Sequence, residues 1–165
     1  MSEAPVYVAV CGGSDVGEDE TALAEEVGRL LARADAVVVC GGLTGVMAAV
    51  ARGVADEGGV SIGVLPGLGR EDQAPDLTYS IPTGMGEARN AVVVSAADAL
   101  IAIAGEYGTL SEIGLALRLG VPVVGLRTWG LVRAGAPVEA FPNAGSAEEA
   151  VKIALESART RADRP

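Results

Sequence analysis

Five short aliphatic runs, spaced along the chain and separated by stretches of helical period, constrain this sequence more than anything else in it. They are Val6 to Cys11 (VYVAVC), Ala36 to Cys40 (AVVVC), Val60 to Leu65 (VSIGVL), Ala99 to Ala104 (ALIAIA) and Val121 to Leu126 (VPVVGL). Strands with apolar residues at nearly every position have no wet face, so they belong in a parallel sheet covered on both sides. The segments between them supply the cover. Glu18 to Ala34 places Leu23, Val27, Leu30 and Leu31 on one helical face behind acidic first-turn residues. Gly45 to Asp56, Gly84 to Ala97 and Thr109 to Leu119 also read as helices. Ser146 with Glu149 forms a capping box that opens a last amphipathic helix. The stretch from Pro66 to Pro82, rich in Gly, Pro and acids, reads as a connection with a short strand around Leu77 to Ile81. The expected fold is α/β, a three-layer sandwich with a mostly parallel sheet, as one domain over residues 1–165.

Right-handed crossovers place successive strand exits along one edge of such a sheet, where ligands bind near the point at which strand order reverses. The glycine-rich loops all fall at those exits. Gly12-Gly13-Ser14 leaves the first strand, Gly41-Gly42-Leu43-Thr44-Gly45 the second, and Gly105-Glu106-Tyr107-Gly108-Thr109 the fourth run. Open amides at a helix start bind anions, phosphate above all, and Thr109 adds a hydroxyl donor. The bland alternative is that these are turns in which glycine serves geometry alone. The second loop has the order G-G-x-x-G, which is not the dinucleotide fingerprint, and no acid ends the following strand to hold a ribose diol. A Walker lysine is missing as well.

Charge and composition exclude other classes. The 165 residues carry a net charge of −10 and only 3% aromatics, so nucleic acid would be repelled and base-stacking platforms are scarce. With no histidine, neither a Ser-His-Asp triad nor a His-ligated zinc site can form. Lys152 is the sole lysine and lies on the last helix, which leaves no plausible pyridoxal Schiff-base lysine. Cys11 and Cys40 read as small buried hydrophobes and not as a disulfide framework or nucleophiles. No run reaches the length of a membrane span and no secretory signal is visible, so the cytoplasm is the expected location.

Among single residues, Arg89 is the leading candidate to hold a phosphate or carboxylate, against the alternative of a surface arginine paired with Glu87. Glu112, at the end of a helical first turn, either matches the helix dipole or faces the ligand as a general acid or base. Met85 and Met47 read as packing residues. Trp129 follows the last core strand, where it could stack on a base or cover an interface.

Three segments together, Gly41 to Met47, Gly84 to Asn90 (GMGEARN) and Gly105 to Glu112 (GEYGTLSE), resemble the LOG family, often labelled lysine-decarboxylase-like and including cytokinin-activating phosphoribohydrolases. The match is nearest its short bacterial branch, related to molybdenum-cofactor carrier proteins. The resemblance implies a Rossmann-like fold, a homodimer or homotetramer, and a nucleotide-type ligand with phosphate at the glycine-rich loops. It implies catalytic roles for Arg89 and Glu112, a grip on phosphate by Gly108 and Thr109, and ligand contacts from Gly12, Gly13, Ser14, Gly41, Gly42, Thr44, Gly45, Met85, Asn90, Gly105, Glu106 and Tyr107. Two functions follow: hydrolysis of a nucleoside 5′-monophosphate to free base and ribose 5-phosphate, or non-catalytic carriage or sensing of molybdenum cofactor or a nucleotide. Neither reading includes a resident cofactor or a metal. Ala104 stands at the signature proline, Glu106 at its second glycine, and Asn90 where the hydrolases have lysine. A carboxylate at Glu106 repels a phosphate unless it turns away, pairs with an arginine or meets a cation. Contact between copies is expected through the small-residue faces of Val46 to Ala55 and Ile113 to Leu119.

Overall fold

The computed structural model describes residues 4–162. Six strands form one parallel sheet: β1 (Tyr7–Gly12), β2 (Val37–Cys40), β3 (Val60–Leu65), β4 (Tyr79–Pro82), β5 (Ala99–Ile103) and β6 (Val123–Leu126), in the order β4-β3-β2-β1-β5-β6. The chain builds outward from β1 to β4, then returns to the other side of β1 for β5 and β6. That reversal lies between β1 and β5, and it is where the three glycine-rich exits gather. The α/β fold with a parallel sheet expected from the sequence is therefore observed.

Side-chain parity sorts the core into two layers. Val8 and Val10 of β1 face one helical layer, made of α1 (Glu18–Arg33), α2 (Val46–Asp56) and α5 (Ala147–Ala162). Ala9 and Cys11 face the other, made of α3 (Asn90–Ser95) and α4 (Tyr107–Leu119). Cys11 and Cys40 are thus buried in different layers on opposite faces of the sheet, and neither is in a disulfide. Helix α2 packs on α1 through glycine. A Cβ at Gly53 would fall within 3.0 Å of the Glu25 backbone, so this small-residue face is closed inside the chain. In α4, by contrast, Gly114, Arg118 and Leu119 remain exposed.

Two local expectations change, and one element is additional. The stretch from Gly84 to Ala97 is not one helix but a 3-10 turn (Gly86–Arg89) running into the short α3, and this bend brings Arg89 inward. Helix α4 starts at Tyr107, not Thr109, which puts Gly108 and Thr109 in its first turn. A two-stranded hairpin, β7 (Leu131–Arg133) and β8 (Ala136–Val138), follows β6. At α5 the cap is as expected in kind but shifted by a residue. Ser146 Oγ accepts from the Glu149 N–H at 3.2 Å, while the Glu149 carboxylate accepts from the Gly145 N–H at 2.7 Å. No helix among the described residues is long and apolar enough to cross a membrane.

Candidate functional site

The exits of β1, β2 and β5 and the segment before α3 converge on one cleft of about 280 Å³. Its floor and walls include Gly12, Gly13 and Ser14 from the first loop, Gly41 from the second, and Arg89 and Asn90. Glu106, Gly108, Thr109 and Glu112 complete it from the start of α4. The remaining candidates lie outside it. Gly42 turns the β2 exit against β3, its carbonyl accepting from the Ala74 N–H at 2.8 Å. Thr44 donates its hydroxyl to the Ser14 carbonyl at 3.3 Å. Gly45 leads into α2, Gly105 packs under the Thr109 side chain, and Met85 is exposed before the 3-10 turn. Tyr107 is exposed and leans on Trp129.

Arg89 is no surface residue, and it forms no ion pair with Glu87. It is 6% exposed, and its Nη1 donates to the carbonyl oxygens of both Gly41 and Val64, tying the exits of β2 and β3 together. Gly41 is what admits it: a Cβ there would lie 2.9 Å from the guanidinium carbon and 2.6 Å from the Met47 sulfur. Arg89 Nε is buried without a hydrogen-bond partner, an unusual state for a charged group. Burial lowers the Arg89 pKa from its ordinary value, while the nearby carboxylates of Glu112 and Glu87 oppose the shift.

Helix α4 starts bare. Its N-cap, Glu106, has extended backbone and makes no side-chain cap, so the first-turn amides are not met by a protein side chain. Thr109 is 3% exposed and sits in that turn. Glu112, one turn on, is 7% exposed on the same wall. Burial raises its pKa to about 7, the Cys11 thiol and Arg89 pulling it back and Glu87 adding to the rise. The carboxyl is therefore poised to exchange a proton near neutrality.

Burial, with Glu112 alongside, pushes the Cys11 thiol well above its ordinary value, and Cys40 is pushed up to about 11. Both stay protonated, which removes them as nucleophiles. Among the described residues no group of three or more His, Cys, Asp or Glu is placed to hold a metal ion.

The cleft also contains Cys11, Asp15, Leu43, Met47 and Glu87. Strand parity carried a signal for Cys11, since it is the last core residue of β1 on the α4 side. Asp15 and Glu87 had only their neighbours to announce them. With Glu106 they place three exposed carboxylates around the mouth, above a buried Arg89, Thr109 and Glu112.

The model of the SLOG cluster4 family matches residues 5–158. An uncharacterized protein of Archaeoglobus fulgidus is 39% identical over 123 residues, covering 74% of this chain and 80% of its own. Among solved structures, the molybdenum cofactor binding protein of Rippkaea orientalis superposes with a TM-score of 0.84 at 28% identity, over 94% of this chain and 98% of that one. The molybdenum cofactor carrier protein of Chlamydomonas reinhardtii gives 0.79 at 26% identity, over 93% and 98%.

Proposed function

The chain belongs to the SLOG cluster4 family, and from that premise we propose that it binds a small phosphate-bearing ligand, a nucleotide or nucleotide-like cofactor, in the cleft between β1 and α4. The LOG-like character read from the three motifs agrees with that membership. The observation that carries the proposal is the uncapped start of α4 beside a buried arginine with an unpartnered Nε. Open first-turn amides and a buried guanidinium on the same wall both favour negative charge in the cleft. The phosphate lies at the amides of Gly108 and Thr109, with the Thr109 hydroxyl as a further donor, and the sugar faces Arg89 and Glu112.

The exposed carboxylates of Asp15, Glu87 and Glu106 limit what can enter. A monophosphate reaches the inner wall with little negative charge left at the mouth, whereas a triphosphate holds its outer charges against three acids. Selection of monophosphates over polyphosphates follows.

Two uses of such binding are open to this chain. Glu112, titrating near neutrality, supports hydrolysis of a nucleoside 5′-monophosphate. The bond between ribose C1′ and the base breaks, its electron pair leaving with the base. The ionised carboxyl then faces the positive charge on the ribose and takes a proton from the incoming water, whose oxygen bonds to C1′; that proton passes to the departed base, giving free base and ribose 5-phosphate. The Cys11 thiol and, after it, Arg89 oppose the rise and keep part of the Glu112 population ionised at neutral pH. The likeness to a binding and a carrier protein for molybdenum cofactor supports the other use, carriage of such a ligand as cargo without turnover.

A thermal-shift panel of nucleoside mono-, di- and triphosphates, followed by chromatographic assay for free base, tests the proposal. A ligand at a hundred times its dissociation constant raises stability by about 2.7 kcal/mol. Stabilisation with base release that is lost in Glu112→Ala establishes hydrolysis, and stabilisation without release establishes carriage. Failure of every phosphate-bearing ligand to stabilise the protein overturns both.

A further inference from the structure

The cleft is small for the ligand it is proposed to take. Its volume of about 280 Å³ is below the usual range for ligand pockets, ~300–1,000 Å³, so a phosphate and sugar occupy most of it. Across the Gly105–Glu106 loop lies a shallow recess, wide open to solvent, lined by Ala104, Gly105, Arg127, Thr128, Trp129 and Gly130. Ala104 (φ +48°) and Arg127 (φ +53°) are both non-glycine residues in left-handed backbone, at the exits of the neighbouring strands β5 and β6. Such conformations persist only where the surroundings enforce them, and they cluster at ligand sites. Here the Ala104 N–H donates to the Leu126 carbonyl at 3.2 Å, and the Ala104 carbonyl accepts from Thr128 Oγ1 at 2.5 Å.

The chain has one Trp, three Tyr and one Phe, and two of these five aromatics meet beside the recess. The rings of Tyr107 and Trp129 lie 5.8 Å apart, inclined at 35°. Trp129 Nε1 donates to the carbonyl of Glu106, a residue of the cleft itself, at 3.2 Å. The indole is thus fixed by a second ring and by the lip of the cleft, and it remains partly exposed where it lines the recess. The half-exposed guanidinium of Arg127 stands over the same recess, 3.7 Å from Asp19 at the start of α1.

We propose that this recess is the second half of the ligand site and seats the fused heteroaromatic ring of a phosphate ester. The ring stacks on Trp129 with Arg127 at its edge, while the phosphate lies at the first turn of α4. This rests on the phosphate-binding reading above and adds where the ring goes. A preorganised indole beside a cation suits a flat, polarisable ring of either purine kind, since every such ring offers a π-face.

The single tryptophan makes the test direct. Guanosine 5′-monophosphate, adenosine 5′-monophosphate and ribose 5-phosphate are titrated into the full chain, with tryptophan emission and thermal stability followed together. Expected are saturable quenching by both nucleotides, and displacement of them by ribose 5-phosphate with no emission change of its own. Trp129→Ala weakens nucleotide binding about 5- to 150-fold, leaves ribose 5-phosphate binding unchanged, and Trp129→Phe recovers most of the loss. Nucleotide binding without quenching, or undiminished in Trp129→Ala, overturns the ring site and leaves the phosphate site standing. Absence of binding by all three compounds overturns both. Should Trp129→Ala fail to fold, the wild-type emission titration and Trp129→Phe still decide the matter.

Discussion

The two most conspicuous glycine-rich entries into helices, Gly41 to Gly45 before α2 and Gly105 to Thr109 at α4, look alike in sequence and do different work. The first is closed by the protein itself. The opening amide of α2, on Val46, donates to the Gly13 carbonyl at 3.0 Å, Thr44 donates to Ser14, and a Cβ on Gly45 would collide with the Gly13–Ser14 backbone. The second is left open. No side chain caps α4, and nothing lies within 4 Å of where a Cβ on Gly108 would be. Glycine in the first loop lets backbones touch each other. In the second it leaves room for something that is not protein.

Substitutions at matched positions can break this contrast. Gly45→Ala carries the largest expected effect: at φ +62° and with backbone in the way, it loses more than about 3 kcal/mol in urea unfolding or fails to accumulate folded. A result within error of wild type would mean the first loop is as open as the second.

Glu112 behind the open loop gives a pH effect of about the same size. Its pKa is raised from 4.5 unfolded to about 7 folded, so between those values the folded state holds a proton that the unfolded state has lost. Stability from this group is full below pH 4.5, falls by about 3 kcal/mol as pH rises to 7, and levels off above. Glu112→Gln flattens that slope in unfolding measured across the range. An unchanged slope would place the burial cost elsewhere.

Helix α5, with a side-chain cap, serves as a control. Ser146→Ala costs about 1 kcal/mol in thermal unfolding and leaves ligand affinity unchanged. The smallest stability effect belongs to Gly108→Ala, neutral or stabilising by up to about 1 kcal/mol, since alanine favours the helix and meets no neighbour. Phosphate-ligand affinity in a thermal-shift titration nonetheless falls about tenfold or more, because the methyl occupies the approach to the amides. Equal affinity would remove the second loop from the site.

Much of the architecture was readable because buried parallel strands are nearly uninterrupted aliphatic runs. β3 has the bounds expected, and β1, β2 and β5 shift by one residue. The hairpin β7–β8 was not readable. Its turn places Ala134 (φ +51°) and Gly135 (φ +81°) where Asn-Gly is the usual signal, and its strands are short and largely exposed. The segment from Gly84 failed differently. Its valines carry a helical period, yet positive φ at Gly84 and Gly86 delays the helix and leaves a 3-10 turn. At the site, the strand exits and motif spacing led to Arg89, Thr109 and Glu112 together. That Arg89 bonds to carbonyls and not to Glu87 depends on the space left by Gly41, 48 residues away in sequence, which no local pattern reveals.

Because the Arg89 guanidinium fastens two strand ends, the proposed recognition and the architecture share one side chain. A variant lacking it leaves the Gly41 and Val64 carbonyls without that donor. Genetic loss at this position would then register as missing protein, whatever the chain does, and on the proposed reading a change of ligand preference has to come from the rim residues instead.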